Sequence, residues 1–188
     1  MTRPATASGL ERIVLLNDNY QPVGSAPKLT SHHANTPLHL AFSCYVFNDH
    51  GELLVTQRAN TKKVWPSVWT NSFCGHPMPG ESMGDAIRRR ASEELGIADL
   101  HDITCAVPEY RYTTPEYNGI IENEFCPVYT ARIHGDVAPN PDEVGGYVYM
   151  SWDEFQTQLV NKPATYSYWA KEQAVLLDDF LRANILIK

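Results

Sequence analysis

Apolar positions along this chain follow two periods. Short runs rich in branched and aromatic residues recur, each bounded by turn formers, and each predicts a strand: Ile13-Val14-Leu15-Leu16, Leu40 to Phe47 opened by His39, and Leu53 to Thr56. Four more follow at Ile103 to Val107, Tyr110 to Thr113, Glu122 to Ile133 and Tyr147 to Met150. Asn17-Asp18-Asn19 ends the first strand and Asn48-Asp49-His50-Gly51 closes a hairpin between the second and third. Pro115 to Gly119 reads as a turn, and Lys28, His32 and His33 fall in a loop-like stretch before Pro37. Helical spacing marks three other segments. Ser82 with Asp85 predicts the N-cap of a helix whose apolar line Ile87, Ala91, Leu95 stops at Gly96. Ser151 with Glu154 forms a capping box for a short helix, and a final helix over Ser167 to Ala183 is expected to turn Trp169, Leu176, Leu177, Phe180 and Leu181 inward.

Strands and helices mixed in this way in a chain of 188 residues predict one α/β (α+β) domain with a sizeable core. Residues 1–11 are small and polar and are expected to form a disordered tail. With 22 acidic against 15 basic residues the net charge is −7, which gives no general attraction to nucleic acid, so any polyanion bound should be small and held locally. No run approaches the roughly 20 apolar residues of a membrane span. The four cysteines contain no CxxC pair, which suits a reduced, cytoplasmic protein. A monomer is expected, with a homodimer as the alternative.

Chemistry concentrates in Trp69-Thr70-Asn71-Ser72-Phe73-Cys74-Gly75-His76-Pro77. Cys74 and His76 are two apart, so an extended chain sends thiol and imidazole to one face; Glu122 and Glu124 share a face for the same reason. Cys44 and Cys126 lie in apolar strand patterns and read as core. Taken alone, Arg58, Lys62 and Lys63 would be a solvated loop, Arg90 and Glu94 a surface ion pair one helical turn apart, and Trp169 a core residue.

From Gly75 onward, Gly75, Glu81, Arg89, Ala91, Glu93, Glu94, Gly96 and Ile97 fill the spacing of the Nudix box, with Arg90 standing where that box has a glutamate. Together with Cys74-Gly75-His76 and Glu122-Asn123-Glu124, the chain resembles the type 1 isopentenyl-diphosphate isomerases, a Nudix-fold family, from about Ile13 to beyond Trp169. The resemblance implies a mixed β-sheet sandwiched between helices, with a Nudix core over 37–171. It implies movement of the double bond of isopentenyl diphosphate to give dimethylallyl diphosphate through a tertiary carbocation. The alternative is a Nudix pyrophosphohydrolase of a small diphosphate, against which Arg90 argues.

The resemblance also implies a site. His32, His39, His76, Glu122 and Glu124 match the family's metal ligands, a donor set that suits Mn²⁺ or Mg²⁺ and accommodates Zn²⁺; His33 competes with His32, and the spacing to Pro37-Leu38-His39-Leu40 favours His32. Cys74 and Glu124 match the acid–base pair, Tyr112 the tyrosine beside the acid and Trp169 the aromatic face toward the cation. Glu94 and the Cys74 backbone carbonyl match a Mg²⁺ site filled with substrate, and Lys28, Arg58, Lys62 and Arg90 are the candidate diphosphate cations. Beside a metal, Cys74 is expected to be a reactive thiolate.

Overall fold

The computed structural model describes residues 11–185. In chain order the elements begin with β1 (Arg12–Leu16), β2 (Pro22–Pro27), the single turn α1 (Lys28–Ser31), β3 (His39–Leu40), β4 (Phe42–Phe47), β5 (Leu53–Arg58), β6 (Trp69–Thr70) and β7 (Phe73–Gly75). They continue with α2 (Met83–Leu95), β8 (Leu100–Val107), β9 (Arg111–Thr113), β10 (Asn123–Phe125), β11 (Val128–Ile133), β12 (Val144–Met150), α3 (Trp152–Asn161) and α4 (Tyr168–Asn184).

β4 is buried at every position, and the alternation of a strand divides its side chains between two cores. Phe42, Cys44 and Val46 join Ile87, Ala91 and Leu95 of α2, whereas Tyr45 and Phe47 join Trp152, Phe155, Trp169 and Leu177 of α3 and α4. A strand covered on both sides must read as a continuous apolar run, and this one does. It lies within a seven-stranded mixed sheet, order β12-β5-β4-β11-β8 with β6 on β5 and β7 on β4, and that sheet sits between α2 and the α3–α4 pair.

A second, five-stranded sheet, order β2-β1-β3-β10-β9, is not foreseen by the sequence reading. Its origin lies in the two long strands expected from the apolar pattern, each of which is two strands. The run opened by His39 breaks at Ala41, and the run from Glu122 breaks at Cys126-Pro127, where proline has no N–H to donate to a ladder. β3 and β10 pair in parallel in the smaller sheet, β4 and β11 in parallel in the larger, so both chains cross between sheets side by side. The Ala41 N–H donates to Phe125 O at 2.9 Å and the Ser43 N–H to Pro127 O at 3.2 Å, carrying the pairing through the crossing. This places Glu124 opposite both His39 and Tyr112, four residues along the chain from where Ser43 stands opposite Cys74.

Three further expectations change. β2 is a largely exposed strand at the sheet edge, bounded by two prolines and without apolar alternation, which an edge tolerates. In α4 the buried face is Trp169, Ala170, Gln173, Ala174, Leu177 and Leu181; Leu176 is half exposed, because the helical phase set by Trp169 and Leu177 turns it outward. Residues 1–10 of the expected tail lie outside the described residues, and Glu11, its last member, is ordered and ion-paired with Lys28 at 2.8 Å. Among the described residues no helix is long and apolar enough to cross a membrane.

Candidate active site

Four elements converge at the junction of the two sheets. His32 caps the end of α1, His39 opens β3, His76 follows β7 and Glu124 is central in β10; one ligand atom from each lies within 4.8 Å of the others. Two of the imidazoles have their tautomers set from behind. His32 Nδ1 faces Lys28 O at 2.8 Å and His39 Nδ1 faces Pro37 O at 2.9 Å, and a carbonyl can only accept, so each Nδ1 carries the proton and each Nε2 presents a lone pair inward. His39 Nε2 and His76 Nε2 stand 3.2 Å apart, and both lie against Glu124 Oε1, at 3.5 Å and 3.0 Å. Inward lone pairs around a buried carboxylate are what a divalent cation satisfies, and the donor set fits one. Glu122 stands just outside this group: its Oε2 is buried, makes no hydrogen bond and lies 3.3 Å from His32 Nε2. His33 is elsewhere, its Nδ1 accepting from Asn35 N at 3.1 Å.

Burial pushes His76 down to about 4, so it is neutral at physiological pH. It also pulls His32 down, but Glu122 outweighs that and the net shift is upward. Glu124 is desolvated, yet the His39 and His76 imidazoles beside it hold it well below the usual carboxylate range. Its second oxygen accepts from the Tyr112 hydroxyl at 2.7 Å, and burial together with that carboxylate keeps the phenol protonated.

The thiol side is built around Asn71, which is fully buried in the loop between β6 and β7. Its Oδ1 accepts from Trp169 Nε1 at 3.0 Å, Thr70 Oγ1 at 2.8 Å and Cys74 Sγ at 3.3 Å, while its Nδ2 donates to Cys44 O and Phe73 O. The Trp169 ring lies 6.1 Å from that of Tyr112 and has the Arg58 guanidinium 5.7 Å from its centroid. Contacts therefore run without a break from Cys74 through Asn71, Trp169 and Tyr112 to Glu124. Among the protein's own groups burial pushes Cys74 up to about 12, outweighing Ser43 and Asn71; the thiolate expectation applies to Cys74 beside a bound metal.

Comparison with known proteins decides the family. The NUDIX domain model matches residues 37–170. A protein of Saccharopolyspora erythraea named isopentenyl-diphosphate Delta-isomerase is 48% identical, the match covering 89% of this chain and 86% of its own. One of the same name from Paenarthrobacter aurescens is 49% identical over 94% of both chains. The chain belongs to the isopentenyl-diphosphate Delta-isomerase family of Nudix proteins. The fold is shared more widely: a crystal structure from Deinococcus radiodurans superposes with a TM-score of 0.67 at 19% identity, covering 88% of this chain and 98% of that one.

In this family member the Nudix box lies as its spacing requires. Gly75 packs directly on α2, Ser82 caps the helix by accepting from Asp85 N, and Gly96 takes a left-handed φ of 67° at its end. Glu81 and Arg89 form a two-point ion pair at 2.7 Å and 2.8 Å that ties the approach loop to the helix. Arg90 and Glu94 are a buried pair, where the sequence alone suggested a surface one, since the flank they share faces the sheets.

All four expected diphosphate cations are engaged internally. Lys28 pairs with Glu11 and Lys62 with Glu143; Arg90 holds Glu94 and Glu93 and reaches Glu143 at 3.6 Å and Glu11 at 3.7 Å. Arg58 donates to the carbonyls of Trp65 and Val64. Sequence reasoning missed Glu11, Glu143 and Asn71 as members of this region. Asn71 carried a signal, a side-chain amide within the Trp69–Pro77 stretch; the glutamates carried none, because only folding sets them beside cations far away in sequence.

Proposed function

We propose that this protein interconverts isopentenyl diphosphate and dimethylallyl diphosphate by protonating one carbon and deprotonating another. The observation that supports this reading best is the contact chain from Cys74 to Glu124 through Trp169. It supplies two proton-carrying groups joined by an indole face that attracts a carbocation without trapping it. An alkene is a very weak base, so its acid must be held against it away from water. Burial of Glu124, Tyr112 and Trp169 fits that need. In this reading Tyr112 and Glu124 form the protonating side, with the Tyr112 O–H···Glu124 bond holding a proton there, and Cys74, as the thiolate, takes the proton from the allylic carbon and becomes the thiol.

His32, His39, His76, Glu122 and Glu124 would hold a Mn²⁺, Zn²⁺ or Mg²⁺ ion, which supplies a fixed positive charge beside the carboxylate. Lys28, Arg58, Lys62 and Arg90 bind the diphosphate, and Glu94 with the Cys74 carbonyl would hold a Mg²⁺ that neutralises part of its charge. Arg90 then exchanges carboxylate oxygens for phosphate oxygens around the same guanidinium, an exchange of one anion for another rather than the exposure of a bare charge. With Arg90 in place of a carboxylate, α2 lacks one of the acidic groups a pyrophosphohydrolase needs.

The test is to incubate the protein with isopentenyl diphosphate and Mg²⁺ in D₂O and follow the alkene by NMR. The rearranged alkene with deuterium incorporated is the expected product; release of phosphate without rearrangement would instead establish the hydrolase.

A further inference from the structure

Beneath the Cys74 sulfur lies a second polar chain that the proposed reaction does not yet use. Ser43 and Tyr45 are two apart in β4 and therefore share a face, the one turned toward α4. Gln173 of α4 bridges them: its Oε1 accepts from the Tyr45 hydroxyl at 3.0 Å and its Nε2 donates to Ser43 Oγ at 2.9 Å. All three residues are fully buried. The direction of the chain follows from counting protons. Gln173 is the hydrogen-bond partner of the Tyr45 hydroxyl, so turning the amide around would leave a buried phenolic proton without an acceptor. With the amide in its satisfied orientation Ser43 Oγ accepts from Gln173, and its own proton remains to be donated. Its neighbours are two sulfurs, Cys74 Sγ at 3.3 Å and Cys126 Sγ at 3.5 Å.

We infer that Ser43 and Gln173 are positioning residues for Cys74: a one-way chain, Tyr45 to Gln173 to Ser43, ends with a hydroxyl donating to the Cys74 sulfur and fixes which side of that atom carries its lone pair and which its proton. With Ser43 donating from one side, the thiol hydrogen is left to point toward Asn71 Oδ1, the acceptor it shares with Trp169 Nε1. Sulfur orientation and indole orientation are thus set by one frame, built from β4, the β6–β7 loop and α4. A neutral chain of this kind suits a buried site, since each bond polarises the next and no buried charge is added.

This inference rests on the isomerase reading only for its kinetic consequence, and the experiment separates the two. In a Cys105→Ser background, which removes the exposed cysteine, Ser43→Ala, Ser43→Thr and Gln173→Leu are compared with the parent by thermal unfolding, isomerase kinetics and the rate of Cys74 alkylation by iodoacetamide. Loss of one oriented hydrogen bond at the reacting atom is expected to lower kcat about tenfold with KM within about twofold. Ser43→Thr, which keeps the hydroxyl, should recover most of that loss, and the Ser43→Ala and Gln173→Leu losses should not add, because they break one chain. The alkylation rate should change in Ser43→Ala and Gln173→Leu and return in Ser43→Thr. A merely structural chain would lower the melting temperature and leave both kcat and the alkylation rate unchanged, and that result would overturn the inference. Should the parent fail to isomerise isopentenyl diphosphate at all, the alkylation comparison still decides whether the chain acts on Cys74.

Discussion

At the scale of single residues, the site is a matter of which atoms carry protons. In the proposed reaction Cys74 and Glu124 each form one side of a two-sided transfer, so Cys74→Ala and Glu124→Gln are each expected to reduce turnover by at least about 100-fold while the protein remains folded. Deuterium incorporation and far-ultraviolet circular dichroism check the two halves of that statement, and activity within tenfold of the parent would reject the roles. Tyr112→Phe removes the donor to Glu124 Oε2, which lies 2.7 Å away, and should cost less, about tenfold. His32 and His33 provide an internal control, being adjacent in sequence but pointing to different partners. His32→Ala should lower the divalent metal content of purified protein, measured by elemental analysis, and His33→Ala should leave it unchanged.

At the scale of elements, two contacts hold the site together and can be tested separately. β7 packs so closely on α2 that a Cβ at Gly75 would fall 2.7 Å from Arg90 Cγ and 2.9 Å from the ring of Phe42, which is fully buried. Gly75→Ala is therefore expected to lower stability by about 1–3 kcal/mol in urea unfolding, since neither neighbour has room to yield. The segment before β1 is tied to α1 and α2 through Glu11. Burial would raise this carboxyl, but Lys28 and, less strongly, Arg90 hold it at about 2 against an ordinary 4.5. A depressed carboxylate stabilises the fold above its unfolded value and loses that contribution as pH falls through its folded value. The parent should accordingly lose up to about 3 kcal/mol relative to Glu11→Gln as pH falls from 5 to 2. Parallel pH profiles of the two proteins, measured by urea unfolding, would show that the pairing contributes nothing.

At the scale of the molecule, the metal group joins α1, β3, β10 and the residue after β7, segments that meet only where the two sheets adjoin. A cation bound there ties both sheets together in the folded state and has no such site in the unfolded chain. Adding Mn²⁺ at about 100 times its dissociation constant should raise stability by about 2.7 kcal/mol, visible as a higher melting temperature that a chelator reverses. In His39→Ala, which removes a fully buried ligand, the increase should vanish. An equal increase in parent and variant would place the stabilising ion elsewhere.

The sequence alone determined the elements whose signals are local. The apolar run of β4, the capped helix from Ser82 to Gly96 and the hairpin closed at Gly51 all follow from period, cap and turn chemistry. The resemblance carried by Gly75 to Ile97 and by Glu122-Asn123-Glu124 pointed to the family and to the residues of the candidate site. Tertiary structure decided what depends on partners distant in the chain. It split each of two apparent strands at Ala41 and at Cys126-Pro127 and sent the halves to different sheets, because alternation along a strand says which face a side chain takes but not which neighbour the backbone will pair with. It buried Arg90 among Glu94, Glu143 and Glu11 and drew Gln173 into contact with Ser43 and Tyr45. Hydrogen bonds and ion pairs of this kind leave no periodic trace, since each needs only one atom to arrive from elsewhere in the chain.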